Sequence, residues 1–226
     1  MYTFSEKFTL INDKNMPYSL TEENLYPYTT NSGWVCDGKF FFAREGARYI
    51  LKTPVLKNFT FSCKTEFMSP LTLSRRHPIW GICFGYDPAK RSGKMLEMEY
   101  FEDSKSLCTH LYDFCDNNKT LICEKVAENI ILEANKPYEL NFSVKDGRCT
   151  GVFADMDFDF ECEAVEGKLA ISNMESIKSL VFSELYVESD NVDIIPIISH
   201  KLQGEFGINH CNIQVEAVSC GKCCDL

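Results

Sequence analysis

The sequence predicts an all-β protein, an antiparallel sandwich or barrel. Three observations carry that prediction. Apolar and polar residues alternate with period two in one segment after another, the mark of strands with one buried face. Turn signals separate the segments, at Asp37-Gly38, Ser92-Gly93, Asp116-Asn-Asn118, Asp146-Gly147 and Glu166-Gly167. Asp-Gly between alternating segments is a strong hairpin signal. Helical periodicity is weak throughout, and only Leu20–Leu25 and Glu175–Lys178 offer short candidates.

Taken along the chain, strands are expected at 39–43 and 48–52. Phe59, Phe61, Cys63 and Thr65 then share one side of a strand, with Thr60, Ser62, Lys64 and Glu66 on the other. Further strands are expected at 79–86, 94–101, 107–114, 119–124 and 129–133. Tyr138, Leu140, Phe142 and Val144 alternate with Glu139, Asn141, Ser143 and Lys145, and a strand at 149–154 follows. Met156, Phe158, Phe160 and Cys162 alternate with an acidic ladder, Asp155, Asp157, Asp159, Glu161 and Glu163. Five like charges along one strand face must stay wet or be cross-paired. Lys145 and Arg148 are placed to pair some of them, and the charge protects an edge strand from aggregation. Strands at 168–172 and Leu180–Val187 complete the set, around a dozen in all, which suits a sandwich or a barrel. One domain over 1–190 accounts for them. Residues 191–226 read as a C-terminal extension or the start of a further domain.

The chain has 226 residues and a formal charge of −10. That balance argues against nucleic acid, whose binding depends on Lys and Arg displacing counterions, and against anionic membranes. The first twenty residues lack a basic stretch followed by an apolar one, so no signal peptide is expected. A cytoplasmic location follows as the expectation, with the twelve cysteines mostly reduced and used as small apolar residues. The tail carries His200, His210, Cys211, Cys220, Cys223 and Cys224. It contains one C-x-x-C but no second pair at regular spacing, so no metal and no cofactor are expected. Neither a nucleophile elbow, a P-loop nor a dinucleotide fingerprint is present.

The strand order carries a resemblance. Gly33-Trp-Val-Cys-Asp-Gly-Lys-Phe-Phe-Phe42 is followed by Leu56-Lys-Asn-Phe-Thr-Phe-Ser-Cys-Lys64 and Trp80-Gly-Ile-Cys-Phe84. Tyr138-Glu-Leu-Asn-Phe-Ser-Val-Lys-Asp-Gly147, Gly167-Lys-Leu-Ala-Ile-Ser172 and Leu180-Val-Phe-Ser-Glu-Leu-Tyr-Val187 complete it. This order resembles the concanavalin A-like lectin/glucanase superfamily, above all its laminin-G-like and 3-keto-disaccharide-hydrolase-type domains. The resemblance implies an antiparallel two-sheet β-sandwich, a jelly roll, whose concave sheet binds a saccharide, so the expected partner is an oligosaccharide or glycan. The oligomeric state stays open.

Two sets of residues are candidates for such a site. Glu97 and Glu99 stand two apart on one strand and so point the same way, as a pair of hydrolytic carboxylates must. Laminarinase-type members carry a Glu-x-Asp-x-x-Glu strand. Here the residues are Leu96-Glu-Met-Glu-Tyr-Phe-Glu-Asp103, so the Asp is replaced by Glu, and Glu102 falls on the opposite side of a regular strand. Trp80, Tyr100 and Tyr112, on consecutive expected strands, are candidates to stack on a sugar ring. His110 shares the face of Tyr112, and Arg76 lies in the loop before Trp80, where it can rim a groove. The leading reading is a carbohydrate-recognition or glycosidase-associated module. The alternatives are a glycoside hydrolase using Glu97 and Glu99, and a non-catalytic protein-interaction module.

Overall fold

The computed structural model describes residues 1–6, 25–27, 33–36, 38–42, 47–51, 53–67, 77–116, 118–175 and 180–190. They form fifteen strands. The first seven are β1 (Tyr2–Glu6), β2 (Leu25–Pro27), β3 (Gly33–Cys36), β4 (Lys39–Phe42), β5 (Ala47–Leu51), β6 (Phe59–Phe67) and β7 (Ile79–Asp87). The others are β8 (Ser92–Phe101), β9 (Ser106–Cys115), β10 (Asn118–Ala127), β11 (Pro137–Lys145), β12 (Arg148–Phe153), β13 (Met156–Glu161), β14 (Lys168–Glu175) and β15 (Leu180–Ser189). Two antiparallel sheets result. One has eight strands in the order β13-β12-β11-β6-β15-β4-β3, with β1 also pairing β15; the other has seven, in the order β10-β9-β8-β7-β14-β5-β2.

The inward faces of the two sheets meet in one apolar core. Phe61, Leu140, Phe142, Phe153, Phe158 and Val187 come from the first sheet, and Tyr49, Trp80, Ile82, Phe84, Leu96, Met98 and Ile171 from the second. Aromatic edge-to-face pairs knit it together, among them Phe67–Trp80 at 5.2 Å and Trp80–Phe153 at 5.4 Å between ring centroids. Cys63, Cys83, Cys108, Cys149 and Cys162 are buried free thiols.

Several local features depart from the simple alternation. β15 pairs β4 through Val181–Ser183 and β1 through Leu185–Ser189. The switch occurs at Glu184, whose φ of 49° marks a bulge, so that Phe182, Leu185 and Val187 all stay buried. β1 itself carries too little pattern to be read from sequence. The expected strand at 129–133 does not form. Its backbone groups are met by tyrosine hydroxyls in place of a ladder: Leu132 N–H donates to Tyr100 Oη (3.3 Å) and Glu133 N–H to Tyr138 Oη (2.7 Å). Asn129, at a φ of 61°, turns the chain away from strand geometry. The acidic ladder is shorter than expected, since Asp155 falls in the β12–β13 turn at a φ of 68° and Glu163 lies beyond the strand. The rest behaves as an edge. Asp157, Asp159 and Glu161 are exposed, Arg148 pairs Asp159 at 2.6 Å, and Lys125 of β10 reaches Asp157 at 2.9 Å. Lys145 makes none of these pairs. The expected helices at 20–25 and 175–178 and the whole of 191–226 lie outside the described residues, apart from Leu25 and Glu175, which belong to strands.

Candidate functional site

The outward face of the seven-stranded sheet gathers most of the unusual chemistry. Antiparallel register aligns one residue from each of six strands into a single cross-strand row: Arg48, Ser172, Gly81, Glu97, His110 and Glu124. The adjacent row reads Ile50, Ala170, Cys83, Met95, Tyr112 and Leu121, and is apolar but for the Tyr112 hydroxyl. At Gly81 a Cβ would stand 2.3 Å from the Leu96 carbonyl oxygen, so the middle of the first row carries no side chain.

This face differs along its width. Over β5, β14 and β7 it is dry: Arg48 is 6 % exposed, and Cys83, Ala170 and Ser172 are fully buried. The Arg48 guanidinium lies 4.5 Å from the Phe114 ring centroid, and Phe114 stacks on Tyr86 at 5.7 Å. Burial pushes the Tyr86 phenol up to about 12, with Arg48 opposing, and pushes the Cys83 thiol up to about 11. Towards β10 the face opens to solvent. Glu97 is itself buried, and its carboxylate pairs with the Lys119 ammonium, which sits 5.1 Å from the Tyr112 ring centroid. Glu99 pairs with His77 at 2.5 Å, and His77 packs on Phe101 at 4.3 Å. His110 faces Glu124 at 3.8 Å and leaves its Nδ1 without a partner. Tyr112 is part-exposed, and Leu121 and Val126 are exposed. Burial raises the Tyr112 phenol above its usual range, with Glu97 and Glu99 adding to the effect.

The structure therefore divides the residues singled out from sequence. Glu97, Glu99, His110 and Tyr112 share the outward face. Trp80 and Tyr100 do not. Both are turned into the sandwich, at 0 % and 1 % exposure, and this corrects the expectation that they line a groove. The reason is parity. Trp80 alternates with Gly81 on β7, and Tyr100 with Glu99 on β8, so each takes the face opposite the carboxylates. Tyr100 spends its hydroxyl on the backbone of Ile130 and Leu132. Arg76 lies outside the described residues, as do the histidines and the four cysteines of the tail. Sequence reasoning missed Lys119 and Glu124, the partners of Glu97 and His110. Only the pairing of β10 with β9 brings them to that side of the sheet. Among the described residues no group of three or more His, Cys, Asp or Glu side chains is arranged to hold a metal ion.

No family model matches the chain, and no curated protein matches it either. Solved structures do. The carbohydrate binding module CBM66 from Bacillus subtilis superposes with a TM-score of 0.52 at 14 % identity, covering 78 % of this chain and 98 % of that one. A β-glucanase from Bacillus licheniformis gives a TM-score of 0.54 at 10 % identity, covering 84 % and 98 %. A variant of LamA from Z. galactanivorans, in complex with laminaritriose and laminaritetraose, gives 0.51 at 10 % identity, covering 81 % and 96 %. At such identities the likeness is one of fold. The chain shares the two-sheet β-sandwich fold of these proteins, in agreement with the fold implied by the resemblance read from its strand order.

Proposed function

We propose that this chain is a non-catalytic saccharide-binding module whose ligand lies on the outward face of β8, β9 and β10. The observation that carries the reading is the juxtaposition there of the part-exposed Tyr112 and Leu121 with Glu97–Lys119, His110–Glu124 and Glu99–His77. A pyranose offers C–H groups to apolar surface and hydroxyls that both donate and accept. A narrow apolar strip bordered by carboxylates, an ammonium and imidazoles matches it on both counts. The named neighbours, a carbohydrate binding module and a β-glucanase, support the same class of ligand.

Binding without hydrolysis is favoured by the register of β8. It pairs with β9 from Ser92 to Phe101 with no shift, so Glu97 and Glu99 share a face while Glu102 falls in the turn after the strand. No third acid of β8 joins them, and Glu97 is already paired with the Lys119 ammonium and Glu99 with the His77 imidazole. A hydrolase would need one of them protonated to donate to the leaving oxygen. The buried free thiols support the further proposal that the protein works in the reducing cytoplasm.

Isothermal titration with laminaritetraose, preceded by a glycan array, tests the reading. Binding weakened at least tenfold by Tyr112→Ala, with no release of reducing ends, is the expected result. Silence on the array and in the calorimeter at millimolar ligand rejects it. Hydrolysis abolished by Glu97→Gln would instead establish the enzyme.

A further inference from the structure

A second site lies at one end of the sandwich, away from the sheet face just described. A cleft of about 580 Å³ is lined there by Lys94, Asp113, Asp146, Arg148, Glu161 and Glu163, with Ile122, Gly147 and Cys162. This volume is within the about 300–1,000 Å³ usual for small-ligand clefts. We propose that this cleft binds a neutral, polyhydroxylated ligand, a terminal sugar residue, with Lys94 as its floor.

The argument begins with Lys94. By the alternation of β8 it occupies an inward position, in line with the core residues Leu96, Met98 and Tyr100, yet it is a lysine and 2 % exposed. An ammonium carries three donors, and a buried one must place them. Lys94 makes one side-chain hydrogen bond, to Asp113 Oδ1 at 2.7 Å, and Asp113 is itself largely exposed. Two donors are left for an acceptor entering the cleft.

The walls set the kind of acceptor. Two cations, Lys94 and Arg148, stand among four carboxylates, Asp113, Asp146, Glu161 and Glu163. An anion would face the carboxylates, and a cation would meet Lys94 at the floor. A divalent ion is disfavoured further because no three acidic, His or Cys groups among the described residues converge as ligands. A polyol has hydroxyls that accept from Lys94 and donate to the carboxylates, so it satisfies both walls at once. The rim is also held in place before any ligand arrives. Asp146 and Gly147 have φ of 49° and 79°, which fits a tight two-residue hairpin turn, and Cys162 N–H donates to Gly147 carbonyl oxygen at 2.9 Å. Arg148 is fixed by Asp159 through Nε at 3.1 Å and Nη2 at 2.6 Å. A fixed rim lowers the ordering cost of binding.

The test is an amide-resolved NMR titration of the full chain with glucose and with laminaritetraose. Saturable shifts of the Gly147 and Cys162 amides are expected. Lys94→Met should weaken them at least tenfold, whereas Tyr112→Ala should leave them unchanged. Glu163→Gln, an exposed change that spares the fold, should weaken them several-fold and decides the matter if Lys94→Met fails to fold. No saturable shift of these two amides at millimolar sugar overturns the proposal, as does a response to Ca²⁺ or inorganic phosphate alone. Shifts confined to the amides around His110, Tyr112 and Leu121 would leave the sheet-face reading standing and remove only this one, and shifts confined to Gly147, Cys162 and their neighbours would do the reverse.

Discussion

β13 and β8 are both strands of alternating pattern, but they live in different surroundings. On β13 burial alternates strictly. Met156, Phe158 and Phe160 face the core while Asp157, Asp159 and Glu161 face water. On β8 five consecutive residues, Lys94 to Met98, are buried, so both faces are dry. Charge on the first strand is a surface property. Arg148 and Lys125 pair its carboxylates, but solvent would serve almost as well. On the second, Glu97 sits out of water, and among the described residues the Lys119 ammonium is the cation that offsets the desolvation of its carboxylate. Equal sequence periodicity thus hides two electrostatic regimes.

The comparison can be broken from the core outward. Trp80→Ala should cost about 3–5 kcal/mol in urea unfolding, because the indole fills space between Phe67 and Phe153 that cannot fully collapse. A cost below about 1 kcal/mol would contradict the inward placement. Next comes the ion pair on β8. Lys119→Met should cost about 2 kcal/mol, less than the about 3–5 of a wholly buried pair, since the Lys119 side chain is 28 % exposed. Adding Glu97→Gln should recover part of that loss, and a double-mutant cycle measures how much.

A pH dependence follows from the same dry face. Cys83 and Tyr86 are neutral when protonated, and burial holds their protons past the values of 9.0 and 10.0 usual for these groups. The folded state therefore binds more protons than the unfolded state above those values. The stability they contribute is full below about pH 9, and is lost as pH rises through about 11 and 12. Urea midpoints measured from pH 8 to 12 should fall in that window, and Tyr86→Phe should flatten the upper part. The smallest effect belongs to β13. Arg148→Ala should cost under about 1 kcal/mol, and the cost should fade in molar salt, as for any exposed pair. A larger, salt-insensitive loss would place β13 in the same regime as β8.

Much of this fold was legible in the residues. Phe59–Glu66 and Met156–Glu161 repeat so regularly that their buried faces could be named in advance, and Asp146-Gly147 announced its hairpin. The strand at 129–133 was misread because apolar residues there looked like a ladder. The hydroxyls of Tyr100 and Tyr138, distant in sequence, satisfy that backbone instead. The candidate site was half legible. Parity on one strand puts Glu97 with Glu99 and His110 with Tyr112. Trp80 and Tyr100 were placed beside them on the strength of residue type, although parity relative to the carboxylates sends both inward.

The sequence by itself determined the class of fold, the strands that alternate and the acidic edge, because these depend on local pattern and on the chain's own charge. Tertiary structure decided which outward face is dry, which cation meets which carboxylate, and where an inward lysine finds room. Those depend on register between strands far apart in the chain. Within one strand, period two separates two faces but does not say which of them meets water.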